Sequence, residues 1–160
     1  MTLPHLSEDI RILIQLLNKH NVEYLIVGEI AVIYYGYPRY TGNVDIYNPD
    51  KNNVKKLFEC LTEFWDGNIP GINNPSELEH PGIIVHFGLT PNRVDLINQI
   101  DGVTFKEAWD NVIKDKLTDK KGETSSRINI INLKHLRINK QKSVRQKDKD
   151  DLEHLRGFKR

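Results

Sequence analysis

Asn43, Asp45 and Asp95 are the side chains in this sequence with the types and spacing to hold a metal ion. Asn43 and Asp45 stand two apart in the segment Thr41-Gly42-Asn43-Val44-Asp45-Ile46, and Asp95 stands between Val94 and Leu96. Both segments read as strands. Polar side chains at n and n+2 of a strand point to one face, and an acid between two apolar neighbours faces away from them. Mg²⁺ prefers oxygen ligands and keeps several waters, so two or three carboxylates from neighbouring strands suffice to hold it. A pair of such ions can lower the pKa of an attacking hydroxyl and steady the charge of a phosphate in transfer.

A glycine turn precedes these acids. Residues 24–27 read as a short apolar strand, Gly28 as a turn, and residues 29–35 as a short helix carrying Ala31, Val32, Tyr34 and Tyr35. Strand, glycine turn and helix bring free backbone N–H groups to one spot, which suits phosphate. Arg39 and Lys140 are candidate phosphate partners, one as a fork and the other as a point charge. A solvated surface role fits each of them equally well.

The elements that must position these residues are legible around them. Residues 7–20 form an amphipathic helix with Ser7 as N-cap and Glu8 and Asp9 in its first turn. Residues 51–65 place Val54, Leu57, Phe58, Leu61 and Phe64 at helical spacing, and Gly, Asn and Pro make residues 66–82 a long loop. Residues 83–89 and 93–97 read as an antiparallel hairpin around Thr90-Pro91-Asn92. Thr104 caps a short helix. Residues 114–118 and 127–131 pair as a small hairpin, and residues 132–140 and 147–156 are two short helices. The expectation is one α+β domain over residues 1–160, a mixed sheet with helices packed on it.

Composition sets the outer bounds. The chain has 160 residues, 38% hydrophobic and 28% charged, enough for one core. Its single cysteine, Cys60, excludes an internal disulfide and reads as a buried small hydrophobe. No apolar run reaches the length of a membrane span and no secretory leader is visible, so a cytoplasmic protein with no membrane partner is expected. The net charge is +1, unevenly spread. Residues 132–160 carry ten Lys or Arg against four Asp or Glu, so +6, leaving −5 on the first 131. This basic end suits phosphate or nucleic acid, and equally a solvated helical pair. His80 and His86 lack partners at metal spacing; His86 alternates with Val85 and Phe87 on a strand beside Asp95, where it could line the cleft, and reads first as a structural histidine. The Trp65 and Trp109 rings read as core anchors. Ser125-Ser126 has no nucleophile-elbow context, and there is no P-loop.

Gly28, the strand around Asn43 and Asp45, and Arg93-Val94-Asp95-Leu96 together resemble the nucleotidyltransferase superfamily that includes DNA polymerase beta. The closer likeness is to its small bacterial and archaeal members, minimal nucleotidyltransferases and abortive-infection or toxin–antitoxin proteins. Tyr35-Gly36-Tyr37-Pro38-Arg39-Tyr40-Thr41, Gly102-Val103-Thr104-Phe105-Lys106-Glu107-Ala108-Trp109 and the closing Lys147-Asp148-Lys149-Asp150-Asp151-Leu152 extend it over residues 10–156. The resemblance implies transfer of a nucleoside monophosphate from an NTP to a protein, RNA or small-molecule hydroxyl, with Mg²⁺ or Mn²⁺. Asp45 and Asp95 would hold metal, Asn43 would be a weakened third ligand, and Gly28, Glu29, Arg39 and Lys140 would meet the nucleotide. Two departures bear on activity. Glu29 stands where the family has a small Gly or Ser, and Asn43 stands where it has the first acid of Asp-x-Asp. These departures raise an alternative: a catalytically inactive module that binds a nucleotide, RNA or DNA, or a protein partner in the manner of an antitoxin.

Overall fold

The computed structural model describes residues 6–37, 43–49, 51, 53–89, 92–118, 121–122, 125–143 and 145–157. Arg39 lies outside them. The fold is α+β, as expected: six helices and a six-stranded mixed sheet among the described residues.

Helix α1 (Glu8–Lys19) starts where Ser7 Oγ accepts the Ile10 N–H. It buries Ile10, Leu13, Ile14 and Leu17. Each fully buried side chain of this size contributes about 1.5–3 kcal/mol over leaving it in water. Strand β1 (Leu25–Val27) follows and is buried at all three positions, as a strand covered on both faces must be. Helix α2 (Gly28–Tyr34) leaves it directly, and β2 (Asn43–Tyr47) returns antiparallel to β1. Helix α3 (Val54–Phe64) packs on α1. It begins three residues after the expected start at residue 51, at the first apolar position of its pattern. The side chain of Asn53 is spent on bracing the chain before β1, accepting from the Glu23 N–H and donating to the Glu23 carbonyl, both at 2.8 Å.

The stretch 66–82 is not wholly a loop. Pro75–Leu78 forms a 3₁₀ turn against α3, with Leu78 buried, and Pro75 presets the first φ of that turn. Strands β3 (Ile84–Phe87) and β4 (Arg93–Ile97) pair antiparallel, and β4 runs parallel to β2. Helix α4 (Phe105–Asp110) is capped by Thr104 Oγ1 on the Glu107 N–H. Strands β5 (Ile113–Thr118) and β6 (Ser125–Ile130) form the second antiparallel pair, and β6 joins β1 in parallel. The sheet order is β3-β4-β2-β1-β6-β5.

The charged C-terminal region is a helical pair, α5 (Leu133–Lys142) and α6 (Gln146–Arg156). One cluster of its charges is turned inward. Lys140 is buried, with its ammonium 2.7 Å from Asp148 and 3.0 Å from Asp151. Arg137 donates to the Leu155 carbonyl, which locks α6 against α5. Cys60 is fully buried, as expected, and burial pushes its thiol up to about 12. Trp65 and Trp109 pack at the margin of the core. No helix among the described residues is long and apolar enough to cross a membrane.

Candidate functional site

The sheet register aligns four residues in one row. His86 on β3 pairs with Asp95 on β4, Asp95 with Asp45 on β2, and Asp45 with Val27, the last residue of β1. Gly28 follows Val27 and opens α2. Strand alternation turns Val44, Ile46, Val94 and Leu96 into the core and puts Asn43, Asp45, Arg93 and Asp95 on the opposite face. This face floors a cleft of about 510 Å³ whose other walls come from α2, the segment after β4, α5 and α6.

The two acids are tied together by their neighbours. Asn43 Nδ2 donates to Asp45 Oδ1 at 2.5 Å and to Asp95 Oδ2 at 3.2 Å. Arg93 donates to Asp95 Oδ2 at 2.9 Å, and His86 Nδ1 lies 2.6 Å from Asp95 Oδ1. A carboxylate offers about four acceptor positions, so Asp95 is largely engaged before any ligand arrives, by Asn43, Arg93 and His86 and by a hydrogen bond shared with Asp45. Burial, then the charge of Asp95 and a hydrogen bond shared with it, push the Asp45 carboxyl up to about 6, while Asn43 and Lys140 pull the other way. Two carboxylates this close oppose each other's ionisation, which a cation between them would relieve.

Gly28 makes its close approach to this same carboxylate. Its φ is +67°, in the left-handed region, and a Cβ there would overlap Asp45 Oδ2 and sit 3.0 Å from Asp45 Cγ. The turn and the lack of a side chain are both used, and what fills the freed space is Asp45. Glu29 sits in the first turn of α2, where negative charge is favourable. Its carboxylate pairs across the cleft with the ammonium of Lys147, at the start of α6. Lys140 also lines the cleft, but its ammonium is committed to Asp148 and Asp151. Burial raises the Asp148 carboxyl, and the hydrogen bonds from Lys140 and Ser143 with the charges of Lys140 and Arg145 outweigh it, leaving Asp148 below its usual range.

Among the expected site residues, Gly28, Glu29, Asn43, Asp45, Asp95 and Lys140 therefore meet in one cleft. Three further residues join them. Arg93 could have been found from its n−2 spacing to Asp95 on a strand. His86 takes the second of its two readings: it is 56% exposed in the cleft, opposite Asp95 in the register of the 83–97 hairpin. Lys147 had no local signal, because α5 stands between the sheet and α6 in the chain.

The donor set fits one hard cation. Asp45 and Asp95 supply the carboxylates, and the Asn43 amide can offer its oxygen if it turns over. Among the described residues, no cluster of three or more His, Cys, Asp or Glu side chains stands ready to enclose an ion.

Replacing Asp45 with Asn tests the site's electrostatics directly. A carboxyl whose folded pKa exceeds its unfolded 3.8 is most stabilising when protonated. Its contribution is full below pH 4 and is lost as pH rises through 6. The loss approaches about 3 kcal/mol. Asp45→Asn is therefore expected to be more stable than the parent in urea unfolding at pH 7.5, with little difference at pH 4. A less stable variant at pH 7.5 would show that the carboxylate is not under repulsion.

Neither protein-family models nor curated proteins yield a match to this chain.

Proposed function

We propose that the cleft is a nucleotidyl-transfer site, moving a nucleoside monophosphate from an NTP to a protein, RNA or small-molecule hydroxyl. The observation that carries this reading is the register of Asp45 against Asp95 on adjacent parallel strands, beside the Gly28 turn. Two carboxylates from neighbouring strands suffice to hold a metal for phosphoryl chemistry, and the glycine turn at their edge suits phosphate. Asp45 and Asp95 would hold Mg²⁺ or Mn²⁺, which would supply charge neutralisation at the phosphate and activation of the acceptor hydroxyl. The chain's own residues set up that binding. Asn43 and Arg93 hold the Asp95 carboxylate in place, and Gly28 leaves room for that of Asp45.

One observation favours a second reading. Asn43 bridges both acids with hydrogen bonds where a third carboxylate would repel them, so the pair is held together by the protein itself. This suits a catalytically silent module that binds a nucleotide or nucleic acid, or an antitoxin-like subunit that binds a protein partner. Labelled NTPs with Mg²⁺ or Mn²⁺ separate the two. The transfer reading expects label on protein or RNA with the parent chain, rising at least about tenfold with Asn43→Asp plus Glu29→Ser, a third charged ligand and an unblocked turn accounting for the gain. No label from either protein, with intact NTP binding, would leave the silent module.

A further inference from the structure

Four cations line the cleft among the described residues: Arg93, Lys140, Arg145 and Lys147. Three of them hold acids on their own side of it. Arg93 reaches Asp95 two residues along the same strand, Arg145 reaches Asp148 three residues on, and Lys140 lies between Asp148 and Asp151. Lys147 differs. Its counterion, Glu29, comes from the opposite wall, so this pair alone among the four spans the opening between the starts of α2 and α6. The two ends are also unequally solvated. The Lys147 side chain is 44% exposed, while that of Glu29 is 11% exposed and sits beside the Gly28 turn. A carboxylate thus occupies an accessible ammonium at the mouth of a site floored by acids.

We propose that Lys147 is the phosphate-binding cation of this cleft and that Glu29 is its resident competitor, displaced when a nucleotide's phosphate chain enters. The assignment rests on the nucleotide reading of the cleft and adds to it a binding residue and an internal block. The exchange is chemically balanced, one anion replacing another on the same ammonium with no bond made or broken. A phosphate carries more charge and more acceptor oxygens than a carboxylate, so it wins the ammonium once a divalent ion offsets Asp45 and Asp95. Until then the carboxylate holds Lys147 and closes the approach to the turn. Ligand affinity is therefore set by a competition inside the protein, not by contacts to the ligand alone.

Calorimetric titration of the whole chain with inorganic pyrophosphate in the presence of Mn²⁺ tests this. Glu29→Gln keeps the size of the side chain and removes its charge; it is expected to tighten pyrophosphate binding about tenfold or more, the scale of one charge-assisted hydrogen bond. Lys147→Gln is expected to weaken it by a similar factor. In the double variant the gain from Glu29→Gln disappears, because no ammonium remains to be released. Asp101→Asn removes a charge from the same cleft without freeing Lys147 and is expected to change affinity by less than about threefold. Thermal unfolding of each variant without ligand establishes that it is folded. Equal gains from Asp101→Asn and Glu29→Gln, a gain that survives loss of Lys147, or no pyrophosphate binding by any variant would each overturn the assignment. Its failure is distinct from that of the transfer reading. Label transfer with affinities untouched by Glu29→Gln sinks only the competition, whereas the expected affinities without label transfer sink only the chemistry.

Discussion

Lys140→Ala is expected to cost about 3–5 kcal/mol of folding stability, because it removes the buried ammonium that lies between two buried carboxylates. Lys140 is buried, as are Asp148 and Asp151, and its ammonium is the tie between α5 and α6. A domain of this size has about 5–15 kcal/mol in total, so the variant would stand near the edge of unfolding in urea at 25 °C. The same reasoning makes a second outcome specific. Lys140→Met combined with Asp148→Asn and Asp151→Leu removes the charges together and is expected to recover most of the loss, since an apolar replacement of a buried ion cluster is often close to neutral. A single variant as stable as the parent would show that the cluster is open to water. A consequence follows for nucleic-acid binding by the basic C-terminal end. Neutralising Lys140 would perturb the fold and any binding at once. A salt-dependent association is better probed at the exposed Lys142 and Arg145, where loss of each phosphate contact should lower the salt slope by about one.

Gly28→Ala is expected to cost about 2–5 kcal/mol. Left-handed backbone at a residue with a Cβ costs about 1–2 kcal/mol, and overpacking adds about 1–3 kcal/mol. The overpacked neighbour is the Asp45 carboxylate. These two parts separate in a double variant. Removing the carboxylate with Asp45→Ala is expected to recover the overpacking share in Gly28→Ala and to leave the backbone share, a coupling that urea unfolding of the four proteins measures. Additive effects would mean that the carboxylate moves aside at little cost, and Gly28 would then be a turn residue alone. The result also bears on the site, since any shift that relieves the overlap displaces a proposed metal ligand.

Local rules carried the α+β class, the single cysteine's burial and most of the elements from the sequence. Ser7 and Thr104 each cap the helix start assigned to them, because capping depends only on residues three apart. The strands carrying Asp45 and Asp95 were legible from alternation, which also fixed the face each acid would take. Where the signal was a periodic pattern with no fixed start, the boundary moved. The apolar spacing of residues 54–64 says nothing about Asn53, whose side chain serves the backbone of Glu23 thirty residues earlier.

Sequence alone determined which chemistry was on offer: two acids on strands, a glycine turn before them, and a neutral Asn and an acidic Glu at the two positions that depart from the resemblance. Only the tertiary structure decided how these groups are spent. Burial of Asp45, and then the parallel pairing of β2 with β4 that sets it beside Asp95, raise its pKa, and the return of α6 to the cleft pairs Lys147 with Glu29. Folding also buries Lys140 among acids, although its sequence neighbours read as solvated. The reason is range. Alternation, capping and turn preference act over a few residues, whereas the electrostatics of this cleft arise from groups as far apart in the chain as Glu29 and Lys147, brought together by burial of a core that no local pattern encodes.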